Sequence, residues 1–169
     1  MTDQPPADLD WDMPNPFAIS LTVQPNNIDN YGHVNNAVYV GWLDRCAWEH
    51  SVHVGIGKQT CDDLGKGMVV RKTQIEYVRP CFDGEKVWVG NWLVFADGRL
   101  RANRRFQIIR EADGATLVRA LLHYVCVDLE GGKPTRWPPV FTESYTVLPE
   151  IAEIVSDDGY RFQPGVDRF

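Results

Sequence analysis

The residues best suited to chemistry stand together at positions 29–36, which read Asp-Asn-Tyr-Gly-His-Val-Asn-Asn. This stretch places one carboxylate, that of Asp29, shortly before a strongly apolar segment that begins at Val34. The apolar segment has helical spacing, and the first N–H groups of a helix lack intrahelical acceptors and carry partial positive charge. A carboxylate that faces such donors has what is needed to attack a carbonyl carbon while the donors stabilise the carbonyl oxygen.

The sequence leaves more than one role open for several of these residues. Asp29 could instead cap the helix, because Asp is favoured at that position. Gly32 could leave room for a ligand to approach backbone N–H groups, or it could be an ordinary turn glycine. His33 could order Asp29 through a hydrogen bond, or it could act as a general base. We prefer the first role, because the helix terminus disfavours an imidazolium. Of Asn35 and Asn36, one is expected to satisfy the loop backbone and the other to line the pocket.

Composition and charge narrow the class of protein. The chain has 169 residues and a net charge of −6, which fits one domain and disfavours non-specific binding to nucleic acid. Its four cysteines form no C-x-x-C pair and its histidines show no metal-ligand spacing, so no metal and no redox cofactor are expected. No signal peptide and no apolar run of membrane-spanning length is visible, so a cytoplasmic location without membrane contact is expected.

Hydrophobic periodicity predicts the elements that position Asp29. Residues 1–16 are acidic and proline-rich, and they are expected to form a disordered arm. Alternation of apolar residues predicts a first strand over 17–23, and helical spacing predicts one long helix over 34–53. Residues 58–67 are expected to be a polar connector. The carboxylate therefore lies in the loop between the first strand and the long helix.

Four further strands are predicted after the helix, over residues 68–79, 86–96, 100–110 and 116–128. The pairs Asp97-Gly98 and Asp113-Gly114 are strong hairpin signals. One helix can cover a sheet of this length only if the sheet curls around it. The pattern therefore indicates an α+β protein, and residues 150–169 form a C-terminal extension that we leave unassigned.

Both this architecture and the motif before the helix resemble a known family. A five-stranded antiparallel sheet wrapped around one long central helix is what the hotdog fold looks like. Residues 29–39 closely resemble the signature of hotdog acyl thioesterases, namely the 4-hydroxybenzoyl-CoA thioesterase-like acyl-CoA hydrolases and, more distantly, the plant acyl-ACP thioesterases. Residues 75–80 and 84–87 resemble the strand pair that follows the helix in that family. The likeness covers roughly residues 17–140, and it places a hotdog thioesterase domain at residues 17–149.

The resemblance implies that the chain hydrolyses an acyl-CoA thioester without a metal or redox cofactor. Asp29 matches the acid that attacks the thioester or activates water, and an amide near Gly32 or His33 would hold the carbonyl oxygen. The plant enzymes have an asparagine two residues after the acid, where this chain has Tyr31. Hotdog subunits pair through their sheets and share their sites, so the resemblance also implies a homodimer or homotetramer.

Two other functions remain open. The first is a hotdog hydratase or dehydratase, which pairs a histidine with an acid across the site; the close spacing of Asp29 and His33 argues against it. The second is a non-catalytic module that binds acyl-CoA, although a pure binder would not need Asp29.

Further residues are candidate contacts for the substrate. Tyr31 belongs to the motif, and Tyr39 is a candidate for the floor of an acyl pocket. Arg104 and Arg105 belong to a basic run in an acidic chain, and the phosphates of coenzyme A would need such a patch. A solvated strand face explains the same run equally well.

Overall fold

One antiparallel sheet of five strands packs around the long helix α1 in the computed structural model, which describes residues 4–157. The strands are β1 (Phe17–Thr22), β2 (Lys66–Tyr77), β3 (Lys86–Ala96), β4 (Arg101–Arg110) and β5 (Thr116–Asp128). The helices are α1 (Asn36–His53), α2 (Lys58–Leu64), α3 (Pro139–Ser144) and α4 (Pro149–Asp157). This arrangement confirms the predicted α+β hotdog architecture.

The order of the strands in the sheet is β1-β3-β4-β5-β2, so the first two strands in sequence form the two edges. Helix α1 and helix α2 connect these two edges. Strands β3, β4 and β5 follow one another through hairpins, as the two Asp-Gly pairs predicted. The inner face of the sheet packs its apolar side chains against Tyr39, Leu43 and Cys46 of α1, and this contact is the main core.

Strands β3 and β5 begin and end where the sequence predicted, because each is bounded by a clear turn signal. Strand β2 runs over Lys66–Tyr77, two residues earlier at each end than predicted. The expectation of a polar connector over residues 58–67 is wrong in part, because Lys58–Leu64 forms helix α2. Gly65 ends this helix in the left-handed conformation, with φ of +60°, which a glycine adopts without strain.

The N-terminal arm is not disordered over the part that the structure describes. Residues 4–16 lie across the outer face of the sheet, where Leu9 packs on Trp88 and Met13 packs on Trp92. The Trp11 ring lies so close to Gly90 that an added Cβ there would be 2.5 Å from it. The acidic, proline-rich composition suggested disorder, but apolar residues at alternate positions bury one side of an extended chain.

The C-terminal extension also packs on this outer face. Ile151 of α4 is buried against Met13 and Trp92 of the same outer cluster. The rest of the unassigned extension, residues 158–169, lies outside the described residues. Within residues 4–157, no helix combines the length and the apolar character needed to cross a membrane.

Candidate active site

The motif before α1 folds into a tight turn. The N–H of Gly32 donates to the carbonyl oxygen of Asp29 at 3.0 Å, and the N–H of Asp29 donates to the carbonyl oxygen of His33 at 2.9 Å. Ile28 and Val34 form an antiparallel bridge that closes the base of the turn. Gly32 has φ of +84°, so this turn requires the glycine for its backbone conformation.

The Asp29 carboxylate is fixed by its own turn and remains accessible. Its Oδ1 accepts a hydrogen bond of 2.8 Å from the N–H of Tyr31. Its Oδ2 lies 3.8 Å from Nδ1 of His33, which is too long for a hydrogen bond but close enough for attraction to a protonated ring. The side chain of Asp29 is 22% exposed and that of His33 is 40% exposed. One carboxylate oxygen is therefore held while the other can meet a substrate or a water molecule.

Asn35, rather than Asp29, caps helix α1. Its Oδ1 accepts a hydrogen bond of 2.9 Å from the N–H of Ala37, and its own N–H donates to the carbonyl oxygen of Asn27. The interpretation of Asp29 as a helix cap is therefore wrong. The helix begins at Asn36, two residues later than predicted, because residues 33 and 34 still belong to the turn and its bridge.

The amide groups near Asp29 divide into those that are already bonded and those that are available. The N–H of Gly32 is used within the turn, so it cannot also hold a carbonyl oxygen. Over residues 4–157, neither the N–H of His33 nor that of Asn36 has a hydrogen-bond acceptor. Asn36 is the first residue of α1, where the helix terminus adds partial positive charge. The site thus offers two backbone donors beside the turn that carries the carboxylate.

The two tyrosine candidates lie in different environments. Tyr31 is 87% exposed, and its ring stacks beside that of His33 at 6.2 Å between ring centres. Tyr39 is buried against Trp42 and Tyr77, and burial raises the pKa of its hydroxyl well above the usual range. Tyr39 is therefore part of the packed core beneath the first turns of α1, whereas Tyr31 is free to touch a bound molecule.

The two arginine candidates point to opposite faces of β4. Arg104 is only 4% exposed and lies on the inner face, where its guanidinium donates to Oδ1 of Asn91 at 2.9 Å. Arg105 is half-buried on the outer face, because neighbouring residues of a strand alternate between faces. The two arginines therefore do not form one contiguous basic patch, and whether either of them holds a phosphate of coenzyme A stays a prediction.

A polar cluster that the sequence did not reveal surrounds Arg104 near the C-terminal end of α1. The guanidinium donates to Nδ1 of His50 and, at 3.2 Å, to Oγ of Ser51. Burial, the charge of Arg104 and the charge of His53 together lower the pKa of His50 to about 3, so its ring is neutral and accepts this bond. The only available signal was the helical spacing that places His50 and Ser51 on the buried side of α1.

The cysteines and the other potential metal ligands form neither disulfides nor a metal-binding cluster in the described part of the chain. All four cysteines are free and buried. Residues 4–157 contain no group of three His, Cys, Asp or Glu side chains that could hold a metal ion. Whether the protein works without a cofactor stays a prediction.

Comparison with known proteins identifies relatives of this fold. Residues 23–144 match the family model described as thioesterase-like superfamily. A comparison with curated protein sequences gave no match. Among solved structures, the DHNA-CoA thioesterase from Staphylococcus aureus has a TM-score of 0.71 at 19% identity, covering 84% of this chain and 93% of that chain.

Two further solved structures extend this comparison. The hypothetical protein SAV2348 from Staphylococcus aureus, solved in complex with CoA, has a TM-score of 0.70 at 14% identity, covering 84% of this chain and 94% of that chain. An acyl-ACP thioesterase from Bacteroides thetaiotaomicron has a TM-score of 0.63 at 24% identity, covering 70% of this chain and 48% of that chain. At these identities the likeness shows the shared fold.

Proposed function

The chain belongs to the thioesterase-like superfamily, and we propose that it hydrolyses acyl-CoA thioesters with Asp29 as the reacting carboxylate. Membership of the superfamily supports thioester hydrolysis in general. The observation that carries the finer assignment is the turn at Asp29, which holds one carboxylate oxygen and leaves the side chain partly exposed, close in sequence to two backbone N–H groups that have no acceptor in residues 4–157.

Two routes are compatible with this geometry. In the first, Oδ2 of Asp29 attacks the thioester carbon, the C–S bond breaks, coenzyme A leaves as a thiolate that takes up a proton, and water then hydrolyses the mixed anhydride. In the second, Asp29 takes a proton from a water molecule that attacks the same carbon, and the thiolate leaves in the same way. Both routes give the free acid and coenzyme A, and both require an ionised carboxylate.

Both routes also move negative charge onto the carbonyl oxygen. The N–H groups of Asn36 and His33 are the proposed donors to that oxygen, since each has no other acceptor in residues 4–157. A preorganised backbone donor of this kind contributes about 3 kcal/mol to the stability of such a transition state. His33 itself is proposed to position Asp29, because the ring lies 3.8 Å from Oδ2.

An acyl-CoA is the proposed substrate rather than another thioester. Two of the structural relatives are described with coenzyme A, one as a DHNA-CoA thioesterase and one in complex with CoA. Exposed Tyr31 at the tip of the turn is proposed to contact the bound substrate together with the side chain of Asn36, since the side chain of Asn35 caps α1. The proposed reaction needs neither a metal nor a redox cofactor.

The active unit is proposed to be a homo-oligomer, either a dimer or a tetramer. Strand β2 is an edge of the sheet over twelve residues, and unpaired strand edges are normally covered or paired. Its exposed apolar residues include Val69, Val70 and Tyr77, and Tyr77 donates to the carbonyl oxygen of Asn36 at the entrance of α1. A copy paired with β2 would therefore lie next to the proposed site.

The direct test is release of free thiol from a panel of acyl-CoAs that differ in chain length and aromaticity. Activity that Asp29→Asn removes from a folded protein would support the proposal. The same purified protein should be assayed for hydration of an enoyl-CoA. Hydration without thiol release would favour the hydratase alternative, and binding of acyl-CoA with neither reaction would favour a binding module.

A further inference from the structure

Arg104 is a buried cation whose partners are all neutral. Its guanidinium donates to Oδ1 of Asn91, Nδ1 of His50 and Oγ of Ser51. Within residues 4–157, no carboxylate forms an ion pair with it. Burial of a charge is costly unless an opposite charge or a full set of hydrogen bonds compensates it. This environment therefore suits an anion that comes from outside the chain.

The hydrogen-bond inventory of Arg104 leaves a donor for such an anion. A guanidinium has five N–H donors, and three are used by the neighbouring side chains. The Tyr145 hydroxyl interacts with Arg104 as well, so one N–H group of the guanidinium remains for an anion, and the unpartnered Tyr124 hydroxyl adds a second donor. The hydroxyl of Ser51 does not compete for an anion, because it donates to the carbonyl oxygen of Ala47 at 3.0 Å.

Two tyrosines flank the guanidinium. The ring centres of Tyr124 and Tyr145 lie 5.9 Å and 5.4 Å from its central carbon. The hydroxyl of Tyr145 donates to Ser51, whereas the buried hydroxyl of Tyr124 has no hydrogen-bond partner in the described chain. Burial raises the pKa of both hydroxyls, so both keep their protons and Tyr124 retains a free donor. A buried hydroxyl without a partner is uncommon in native proteins and calls for an explanation.

These groups share one cavity between α1 and the sheet. The cavity has a volume of about 80 Å³, and one water molecule needs only roughly 10–15 Å³ of such space. Its polar lining includes Arg104, Ser51, Tyr124 and Tyr145, and exposed Asp44 also borders it. The remaining lining is mostly apolar and includes Ala47, Trp48, Cys61, Met68, Leu93 and Ala102.

We propose that this cavity binds the carboxylate of an organic acid that carries an apolar stem, with Arg104 and the Tyr124 hydroxyl as its donors. The buried guanidinium and hydroxyl hold the charged end, the apolar lining takes the first carbons of the stem, and the rest of the stem leaves the cavity beside exposed Trp48. Asp44 is exposed to water, which screens its charge far better than the interior screens that of Arg104. Attraction by the buried guanidinium therefore outweighs repulsion by Asp44.

The carboxylate can come from two sources. One is a free carboxylic acid, and the other is a carboxyl group at the far end of a long acyl chain. Ser51 lies about 22 Å along α1 from Asn36, so only a long chain could reach from the thioester to Arg104. The chain-end source rests on the proposed thioester hydrolysis, whereas the free-acid source does not.

The first experiment measures binding of hexanoate by calorimetry at constant ionic strength, with hexanamide as the neutral analogue. Hexanoate is expected to bind in a saturable way and at least about tenfold more tightly than hexanamide. Tyr124→Phe removes only the unpaired hydroxyl, so the protein should keep its stability while the Kd for hexanoate rises about tenfold. Ser156→Ala removes an exposed hydroxyl from α4, which belongs to neither the cavity nor the proposed active site, and should leave this Kd unchanged.

The second experiment compares docosanedioyl-CoA with docosanoyl-CoA as substrates, because a chain of this length can span the distance from Asn36 to Ser51. The ratio of their kcat/KM values should fall in Tyr124→Phe if the chain end occupies the cavity. If Tyr124→Phe weakens hexanoate binding but leaves the ratio of the kcat/KM values unchanged, the cavity binds a free acid. If hexanoate binding does not depend on charge or on Tyr124, and the ratio is also unchanged, the proposal is overturned. Should neither ester be hydrolysed, the proposed function fails while the hexanoate result still decides the cavity.

Discussion

The N–H of Tyr31 donates a hydrogen bond of 2.8 Å to Oδ1 of Asp29, so the carboxylate is oriented by the backbone of its own turn. No lysine or arginine in the described chain forms an ion pair with Asp29, and the nearest cationic candidate is His33 at 3.8 Å. A carboxylate that is neutralised by an arginine would be a poor base and a poor nucleophile. The turn therefore orients Asp29 without reducing its reactivity.

Asp29→Asn should abolish most thioesterase activity and leave the fold intact. Asparagine can accept the same hydrogen bond from Tyr31, but it can neither take up a proton nor act as the nucleophile. We expect kcat to fall by about a hundredfold or more, measured by thiol release with the unfolding midpoint as the check on folding. Asp63→Asn, in helix α2, is the matched control. Activity near that of the wild type in Asp29→Asn would remove Asp29 from the mechanism.

Asn35→Ala should lower both stability and activity. Loss of the cap on α1 costs about 1 kcal/mol in the free energy of unfolding, measured by urea denaturation. Because the same cap positions the N–H of Asn36, kcat should fall while KM changes little. Asn35→Ser keeps a capping oxygen and should retain most of both properties. Equal kcat in the two variants would show that the first turn of α1 does not contact the reacting carbonyl.

Stability should fall in mild acid because of His50. Its pKa in the folded protein is about 3, below the value of 6.5 for the unperturbed group. Between these values the unfolded chain binds more protons, so stability is complete above pH 6.5 and is lost as the pH falls toward 3. The slope contributed by one such group is at most about 1.4 kcal/mol per pH unit. The measurement is urea denaturation of the wild type and of His50→Gln between pH 7 and pH 5. The free energy of unfolding should depend less steeply on pH in the variant. Equal pH dependence in the two proteins would show that His50 is not the cause.

The arm offers a separate test of its packing. Gly90→Ala should destabilise the protein by about 1–3 kcal/mol, because the new Cβ would overlap the Trp11 ring. Combining it with Trp11→Ala should remove that added cost, since the overlap no longer exists. Additive effects in the double variant, measured by urea denaturation, would mean that the arm does not lie on Gly90 in solution.

The sequence predicted the sheet and the motif well because both depend on local signals. Asp97-Gly98 and Asp113-Gly114 mark hairpins whatever the surrounding structure is, and they set the ends of β3 and β5. The Arg104 cluster could not be predicted in this way. Its members come from α1, β3, β4 and β5 and the segment after α3, and only the folded sheet brings them together.

The same contrast explains the errors. Arg104 and Arg105 look like one basic patch in sequence, but the alternation of strand side chains separates them. The arm looks disordered by composition, yet Leu9 and Met13 find apolar partners only because Trp88 and Trp92 point to the outer face of β3. The first error comes from treating neighbours in sequence as neighbours in space, and the second comes from judging the arm by its composition without the surface that it covers.

Self-association is the remaining prediction, and it concerns the exposed edge of the sheet. Light scattering at micromolar concentration should give at least twice the chain mass of 19.2 kDa. Val70→Lys places a charge on exposed β2, and a symmetric pair of strands would bring two such charges into one interface. We therefore expect the dissociation constant to rise at least about tenfold, with a parallel loss of thioesterase activity. Val52→Lys is the control for pairing through β2, because Val52 is also exposed but lies on α1, away from the strand edge. A stable and fully active monomer of the wild-type chain would be incompatible with a site shared between subunits.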